Sequence, residues 1–157
     1  MRSCPTRLAD LLVLCLLVLT AVSCYSDGES GGAPTEMNEE LKTNSDFAQV
    51  LFVKAALESR GTWRFDVTVR HQDEGWDHYA DLWQVVNPQS MEVLGKRVLA
   101  HPHDNEQPFT RSESGIHIPS EVTNVLVQAK CNLHGFEGKA ITVDLSLNKG
   151  DDYTVNR

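Results

Sequence analysis

One stretch of the chain alternates strictly between polar and apolar side chains. From Thr62 to His71, every second residue up to Val69 is a large apolar residue, and those between them are polar. A period of two is that of a β-strand with one face buried and the other in water. Strands with one solvated face are typical of antiparallel sheets. This stretch therefore predicts an antiparallel sheet and excludes an all-helical domain.

Other runs with strand-like patterns lie on both sides of this stretch. Gly, Pro, Asn and Ser turn signals separate them at a spacing of roughly 8–12 residues, and no run has a convincing helical period. We therefore predict an all-β domain, a seven-stranded antiparallel sandwich of the immunoglobulin or fibronectin-III type. The predicted strands are Val50–Glu58, Thr62–His71, Ala80–Val86, Glu92–Ala100, Ser114–Ile118, Val122–Cys131 and Lys139–Leu147.

The first 23 residues have the pattern of a signal peptide. Arg2 and Arg7 precede Leu11–Leu19, an unbroken apolar run of nine residues, and Ala21 and Ser23 supply the small residues before a cleavage point. Nine residues suit the apolar region of a signal peptide and are too few to span a bilayer. We therefore predict that residues 1–23 are a signal peptide and that the protein is exported.

Cys24 follows this cleavage point directly. Small residues followed by Cys resemble the bacterial lipobox, although Ala21 stands where that motif usually has Leu, Val or Ile. The resemblance implies that Cys24 is lipidated and holds the protein on a membrane. The alternative is cleavage by an ordinary signal peptidase, which would release a soluble secreted protein.

The remaining boundaries follow from composition. Residues 24–46 are rich in Gly, Ser, Asp and Glu and poor in large apolar residues, so we predict a flexible acidic tether. Residues 47–148 form the predicted β-sandwich domain and residues 149–157 a polar tail. Loss of residues 1–23 removes two Arg and one Asp and changes the formal charge from −8 to −9. An acidic chain argues against a nucleic-acid partner.

Two segments of the predicted domain carry a resemblance to known proteins. These are Trp76–Asp81 (WDHYAD) and His101–Arg111 (HPHDNEQPFTR). They resemble a family of small exported bacterial domains of uncharacterised function. The resemblance implies a folded, exported domain and brings no activity with it.

Several histidines suggest a metal site. His101 and His103 are spaced so that both imidazoles lie on one side of an extended backbone. His78 begins the strand that pairs with the strand before His101, so a hairpin would bring it close. Three imidazoles suit copper or zinc. Cys131 and His134 form a second candidate pair, although Cys131 ends an inward-facing apolar series and is explained equally well as a buried core residue.

The segment around His101 and His103 also has a purely structural interpretation. Its two prolines stiffen a corner between two sheets, and Glu106 can form an ion pair with Arg111. Trp76, Tyr79 and Trp83 either pack beneath this corner or form an aromatic patch for a protein or glycan partner.

No motif of a known catalytic class is present: the chain lacks GxSxG, SxxK, HExxH and a Walker loop. We therefore predict a lipoprotein of the bacterial cell envelope, facing the periplasm or the surface, with a non-enzymatic binding or interaction domain and no cofactor. The alternative is a small exported copper- or zinc-binding protein that uses the histidine cluster.

Overall fold

The computed structural model describes residues 46–157. The predicted signal peptide, Cys24 and nearly all of the predicted tether lie outside the described residues. The described part of the chain is almost entirely β-structure and forms two four-stranded sheets. Its strands are β1 (Gln49–Leu57), β2 (Trp63–Arg70), β3 (Ala80–Val86), β4 (Val93–Val98), β5 (Phe109–Ile116), β6 (Asn124–Cys131), β7 (Ile141–Asp144) and β8 (Tyr153–Asn156).

The two sheets form a sandwich. The first sheet has the strand order β5-β2-β1-β8 and the second the order β4-β3-β6-β7. All neighbouring strands are antiparallel except β1 and β8, which are parallel. Strand β1 packs across the interior against β6 and β7. A short 3-10 turn, Gly75–Asp77, precedes β3, and no helix among residues 46–157 is long and apolar enough to cross a membrane.

Alternating side chains fill the space between the sheets. The four apolar residues of β2 are all buried, as their period predicts. Phe65 of this strand and Trp83 of β3 are the largest apolar side chains among those that are fully buried. The inward series of β6 ends at Cys131, which is 1% exposed. The prediction of an all-β domain with two mainly antiparallel sheets is therefore confirmed.

The inward face of β1 differs from the predicted one. The sequence predicts an inward face at the odd-numbered positions of this strand, but Val50 is buried together with Val53 and Ala55, while Leu57 is 44% exposed. The pairing of β1 with β2 shifts register between Val50 and Phe52. Such an irregularity adds one residue to the strand, so that the residues before it face the side opposite to the one that regular alternation predicts.

Strand β5 begins earlier than predicted, at Phe109 rather than Ser114. Phe109 pairs with Val69, so the end of the predicted loop adds to the β2 ladder. The connection from β4 to β5 passes from the second sheet to the first. Residues 99–108 are therefore a corner between sheets, as the structural interpretation of this segment predicts.

The described residues contain an eighth strand, which the sequence does not predict. Residues 149–157 are predicted to be a polar tail, but Tyr153–Asn156 form β8 and pair in parallel with β1. Tyr153 and Val155 are buried, at 9% and 3% exposure. The prediction is wrong because a four-residue alternation is too short to stand out in a polar segment. Strand β8 is stabilised by its pairing with the edge of β1, which lies far away in the sequence.

The role of β8 can be tested with a pair of neighbouring substitutions. Val155→Asp places an unpaired charge in the core, and we expect it to lower the free energy of unfolding by about 3 kcal/mol or more. Asn156→Asp changes an exposed residue of the same strand and should stay within about 0.5 kcal/mol of the parent. Urea unfolding of both variants measures the difference, and equal stabilities would show that the segment is not packed.

Candidate functional site

One end of the sandwich collects four buried polar side chains around a buried cysteine. At this end β2, β4 and β6 finish while β1, β3 and β5 begin. Burying such groups costs free energy unless they find partners, so their concentration here requires an explanation. We call the following five residues the histidine end: His71, Asp73, His78, His103 and Cys131, each less than 9% exposed.

Two of these residues continue the inward faces of strands. His71 has the same parity as Val69 and follows the last inward residue of β2. Cys131 likewise follows Ala129 on the inward face of β6. Because side chains on one face recur every second residue, both point into the interior at the same end of the sandwich.

The carboxylate of Asp73 connects three separate segments. Its Oδ1 accepts hydrogen bonds from His71 Nδ1–H at 2.6 Å and from the backbone N–H of Ala80 at 3.0 Å. Its Oδ2 accepts the backbone N–H of His103 at 2.6 Å. The end of β2, the start of β3 and the corner between β4 and β5 are thus held by one side chain.

These contacts move two pKa values. Burial raises the pKa of Asp73, but the hydrogen bonds from His71 and from the backbone amides of His103 and Ala80 outweigh it, so the pKa lies below its usual value. Burial lowers the pKa of His103, and the nearby Arg111 and His101 lower it further. These shifts favour the carboxylate form of Asp73 and the neutral form of His103.

The first group of metal-ligand atoms in this region consists of His71, His78 and Cys131. His71 Nε2 lies 3.2 Å from His78 Nε2. Cys131 Sγ completes a set in which all three atoms lie within 4.8 Å of one another. On the far side of the second ring, His78 Nδ1 lies 3.5 Å from the carboxylate of Glu74.

A backbone carbonyl and an exposed histidine lie beside this group. The Asp46 carbonyl oxygen is 3.2 Å from His71 Nε2, 3.6 Å from Cys131 Sγ and 3.0 Å from His134 Nδ1. The backbone N–H of His134 donates to Cys131 Sγ at 3.2 Å, and His134 Nδ1 lies 3.4 Å from the same sulfur. The structure therefore brings together the pair that the spacing of Cys131 and His134 suggests.

The second group lies in the corner segment and contains His101, His103 and Glu106. The rings of His101 and His103 are 4.6 Å apart, and His103 stacks on Phe109 at 3.8 Å. The guanidinium of Arg111 lies over the Phe109 ring, 5.3 Å from its centroid, and pairs with Glu106 at 2.5 Å. The ion pair expected between Glu106 and Arg111 is thus formed.

The predicted cluster of His78, His101 and His103 is not one of the three-residue ligand groups found among residues 46–157. His101 and His103 do lie together, but His78 joins His71 instead. The pairing of Ala80 with Cys131 directs His78 toward the end of β6, and Asp73 binds both His71 and the backbone of His103. The sequence-based prediction considers only the β3–β4 hairpin and leaves out β6, which also pairs with β3.

His71 and Asp73 are the residues that the sequence-based interpretation misses. The parity of His71 is a usable signal, because it continues the apolar series of β2 inward. Asp73 carries no comparable signal, because it stands in a polar turn after the strand and is buried only through its long-range partners.

The predicted aromatic patch is smaller than expected. Trp76 is 66% exposed and its ring meets that of Tyr79 edge-on at 5.8 Å. Trp83 is fully buried between the sheets. The alternative that places Trp83 in a surface patch is therefore wrong, because its position on the inward face of β3 puts it in the core.

Comparison with known proteins gives one informative similarity. The chain is 38% identical over 118 residues to a protein of Halomicrobium mukohataei named "Putative lipoprotein". The match covers 74% of this chain and 57% of that relative, so it spans little more than half of the relative's length. No family model and no solved structure matches the chain. The name of the relative supports the prediction that this chain is a lipoprotein.

The importance of Asp73 for the histidine end can be measured. In Asp73→Asn the amide nitrogen replaces one acceptor, so at least one buried N–H loses its partner. We expect a loss of about 2–4 kcal/mol in the free energy of unfolding. Asp77→Asn, an exposed change in the same connection, is the control and should be near neutral. A neutral effect of Asp73→Asn in urea unfolding would contradict the proposed role of its hydrogen bonds.

Proposed function

We propose that this protein is a membrane-anchored lipoprotein of the cell envelope whose β-sandwich is a non-enzymatic binding domain, with its ligand held at the histidine end. The N-terminal sequence, the strand order of the sandwich and the buried polar side chains support the proposal.

The N-terminal sequence and the similar protein both support a lipid anchor. The sequence has a signal-peptide pattern that ends directly before Cys24, and the similar protein bears the name of a lipoprotein. A mature N-terminal Cys with several acyl chains binds membranes stably, whereas one chain binds only marginally. We propose that Cys24 is that residue and that residues 25–46 connect it to the domain.

The strand order supports an immunoglobulin or fibronectin-III type of sandwich. Strands β1, β2 and β5 are neighbours in one sheet, and β4, β3, β6 and β7 are neighbours in the other. Sandwiches of this class place their first, second and fifth strands together and their third, sixth and seventh strands opposite. Domains of this class commonly bind ligands and partners through loops at one end, which is where the histidine end lies.

The single observation that carries the binding role is the set of inward-facing polar residues. A sandwich that served only as a scaffold would be most stable with apolar side chains at these positions. Here three histidines, His71, His78 and His103, and the carboxylate of Asp73 are buried beside Cys131. Local violations of the folding rules are characteristic of functional sites.

The corner segment supplies a rigid wall for such a site. His103 is stacked on Phe109, and Arg111 lies over Phe109 while its guanidinium pairs with Glu106. Side chains that already have fixed partners are positioned to hold a ligand rather than to exchange protons with it.

The anchor is tested by metabolic labelling with a palmitate analogue. We expect the parent protein to incorporate the label and to remain with the membrane fraction. Cys24→Ser should lose both properties, because the sulfur that accepts the lipid is removed. Cys131→Ser is the matched control and should keep the label. Absence of label from the parent protein would refute the anchor.

The binding role is tested by thermal unfolding with a panel of small ligands, which should include transition-metal ions, phosphate, carboxylates and monosaccharides. A ligand present at 100 times its Kd stabilises the folded state by about 2.7 kcal/mol. We expect at least one class to stabilise the parent and to be recovered chemically unchanged. His78→Gln should abolish the effect, and His117→Gln, an exposed change elsewhere, should preserve it.

Two results would contradict this role. One is the absence of stabilisation by any member of the panel. The other is recovery of a ligand in a chemically altered form, which would indicate an enzyme.

A further inference from the structure

We propose that His71, His78 and Cys131 form a mononuclear site for a thiophilic transition-metal ion, and that copper is the ion it is built to hold. This inference rests on the proposed binding role of the histidine end and names the class of ligand. It differs from the site suggested by the sequence pattern, since His101 and His103 take no part in it.

The two imidazole rings face each other through their Nε2 atoms. His71 Nδ1 lies 2.6 Å from the carboxylate of Asp73, so the other nitrogen of this ring is directed away from Asp73. His78 repeats the arrangement, with Nδ1 toward Glu74 and Nε2 toward His71. The two Nε2 atoms thus lie 3.2 Å apart, an arrangement in which both rings can bind one cation.

The distance between the two histidine nitrogens matches that between ligands of one ion. Two imidazole nitrogens bound to one tetrahedral ion at about 2.0 Å are about 3.3 Å apart. The observed separation of His71 Nε2 and His78 Nε2 is 3.2 Å. A thiolate and an imidazole on such an ion are about 3.5 Å apart, and Cys131 Sγ lies within 4.8 Å of both nitrogens. The two nitrogens are therefore already spaced as ligands.

Hydrogen-bonding groups that suit metal ligands surround the three side chains. Metal-binding histidines usually donate their other N–H to a carboxylate or carbonyl, which orients the ring. Asp73 and Glu74 occupy those positions here. The His134 backbone N–H points at Cys131 Sγ at 3.2 Å and would stabilise the negative charge of a thiolate.

The choice of copper follows from the donor set. Two histidines and one cysteine, with a weakly bound backbone oxygen as a further ligand, are a recurrent copper site in proteins. The Asp46 carbonyl oxygen lies beside both His71 Nε2 and Cys131 Sγ and is placed to act as that oxygen. Binding of Cu(II) breaks the Cys131 S–H bond, forms an S–Cu bond and releases one proton to solvent, without a change of oxidation state.

The path from solvent to the site is short. His71, His78 and Cys131 are buried, but His134 is exposed and its ring lies 4.9 Å from that of His78. An ion entering from solvent therefore meets His134 before it reaches the buried ligands. We assign His134 to the mouth of the site.

The test uses the exported protein carrying Cys24→Ser, which leaves Cys131 as the thiol of the predicted mature chain. The protein is stripped with a chelator, incubated with Cu(II) or Zn(II), desalted and assayed for metal. We expect about one equivalent of copper per chain, visible absorption from a copper–thiolate bond and loss of reactivity of Cys131 toward a thiol reagent.

Further substitution of Cys131→Ser or His78→Gln should lower copper affinity at least about tenfold, because each removes a ligand. His101→Ala and His117→Ala change exposed histidines outside the site and should leave binding unchanged. Protection of Cys131 by copper against the thiol reagent can be measured in the Cys24→Ser protein without any ligand substitution. The proposal therefore stays testable even if the ligand variants do not fold.

Four outcomes would overturn the proposal, the last of them its choice of ion. One is copper retention that Cys131→Ser does not reduce, and another is retention that is lost in His101→Ala. The third is no retention of metal at all, which would indicate that the contact between His71 Nε2 and His78 Nε2 is an ordinary hydrogen bond. Zinc retention without copper would overturn the choice of ion.

The proposed function can survive these outcomes. Stabilisation by a non-metal member of the ligand panel, together with no metal retention, would refute the metal site alone. Failure of the whole panel would refute the binding role as well.

Discussion

The carboxylate of Asp73 is the interaction on which this end of the molecule depends. One oxygen holds the ring of His71 and the start of β3, and the other holds the corner that joins the two sheets. A buried carboxylate is costly unless its oxygens find donors, and here three N–H groups supply them. Because those donors come from three different segments, the packing of strands from both sheets and the orientation of one candidate ligand depend on the same group.

Much of the fold is predictable because the strands of this domain alternate so regularly. The period of β2 and β6 identifies their buried faces, and the turn at 87–90 identifies the β3–β4 hairpin. Two features escape prediction because they depend on non-local partners. The register shift in β1 appears only against β2, and β8 exists only because β1 offers it an edge.

The candidate site is predictable only in part for the same reason. The spacing of His101 and His103 correctly predicts that their rings lie close together, and that of Cys131 and His134 correctly predicts a contact. His78 is assigned to the wrong partner, because a hairpin considered alone does not include β6 or the end of β2. Parity along β2 could have identified His71, whereas only three-dimensional contacts reveal Asp73.

The position of β1 has a mechanical consequence. This strand is the first of the domain, and it is hydrogen-bonded to β2 on one side and to β8 on the other. A force transmitted along the chain from before Asp46 would load β1 along its own axis. Both ladders would then have to shear together, which resists extension better than opening one bond at a time. A domain held by its N-terminal side would thus withstand tension at the point of attachment.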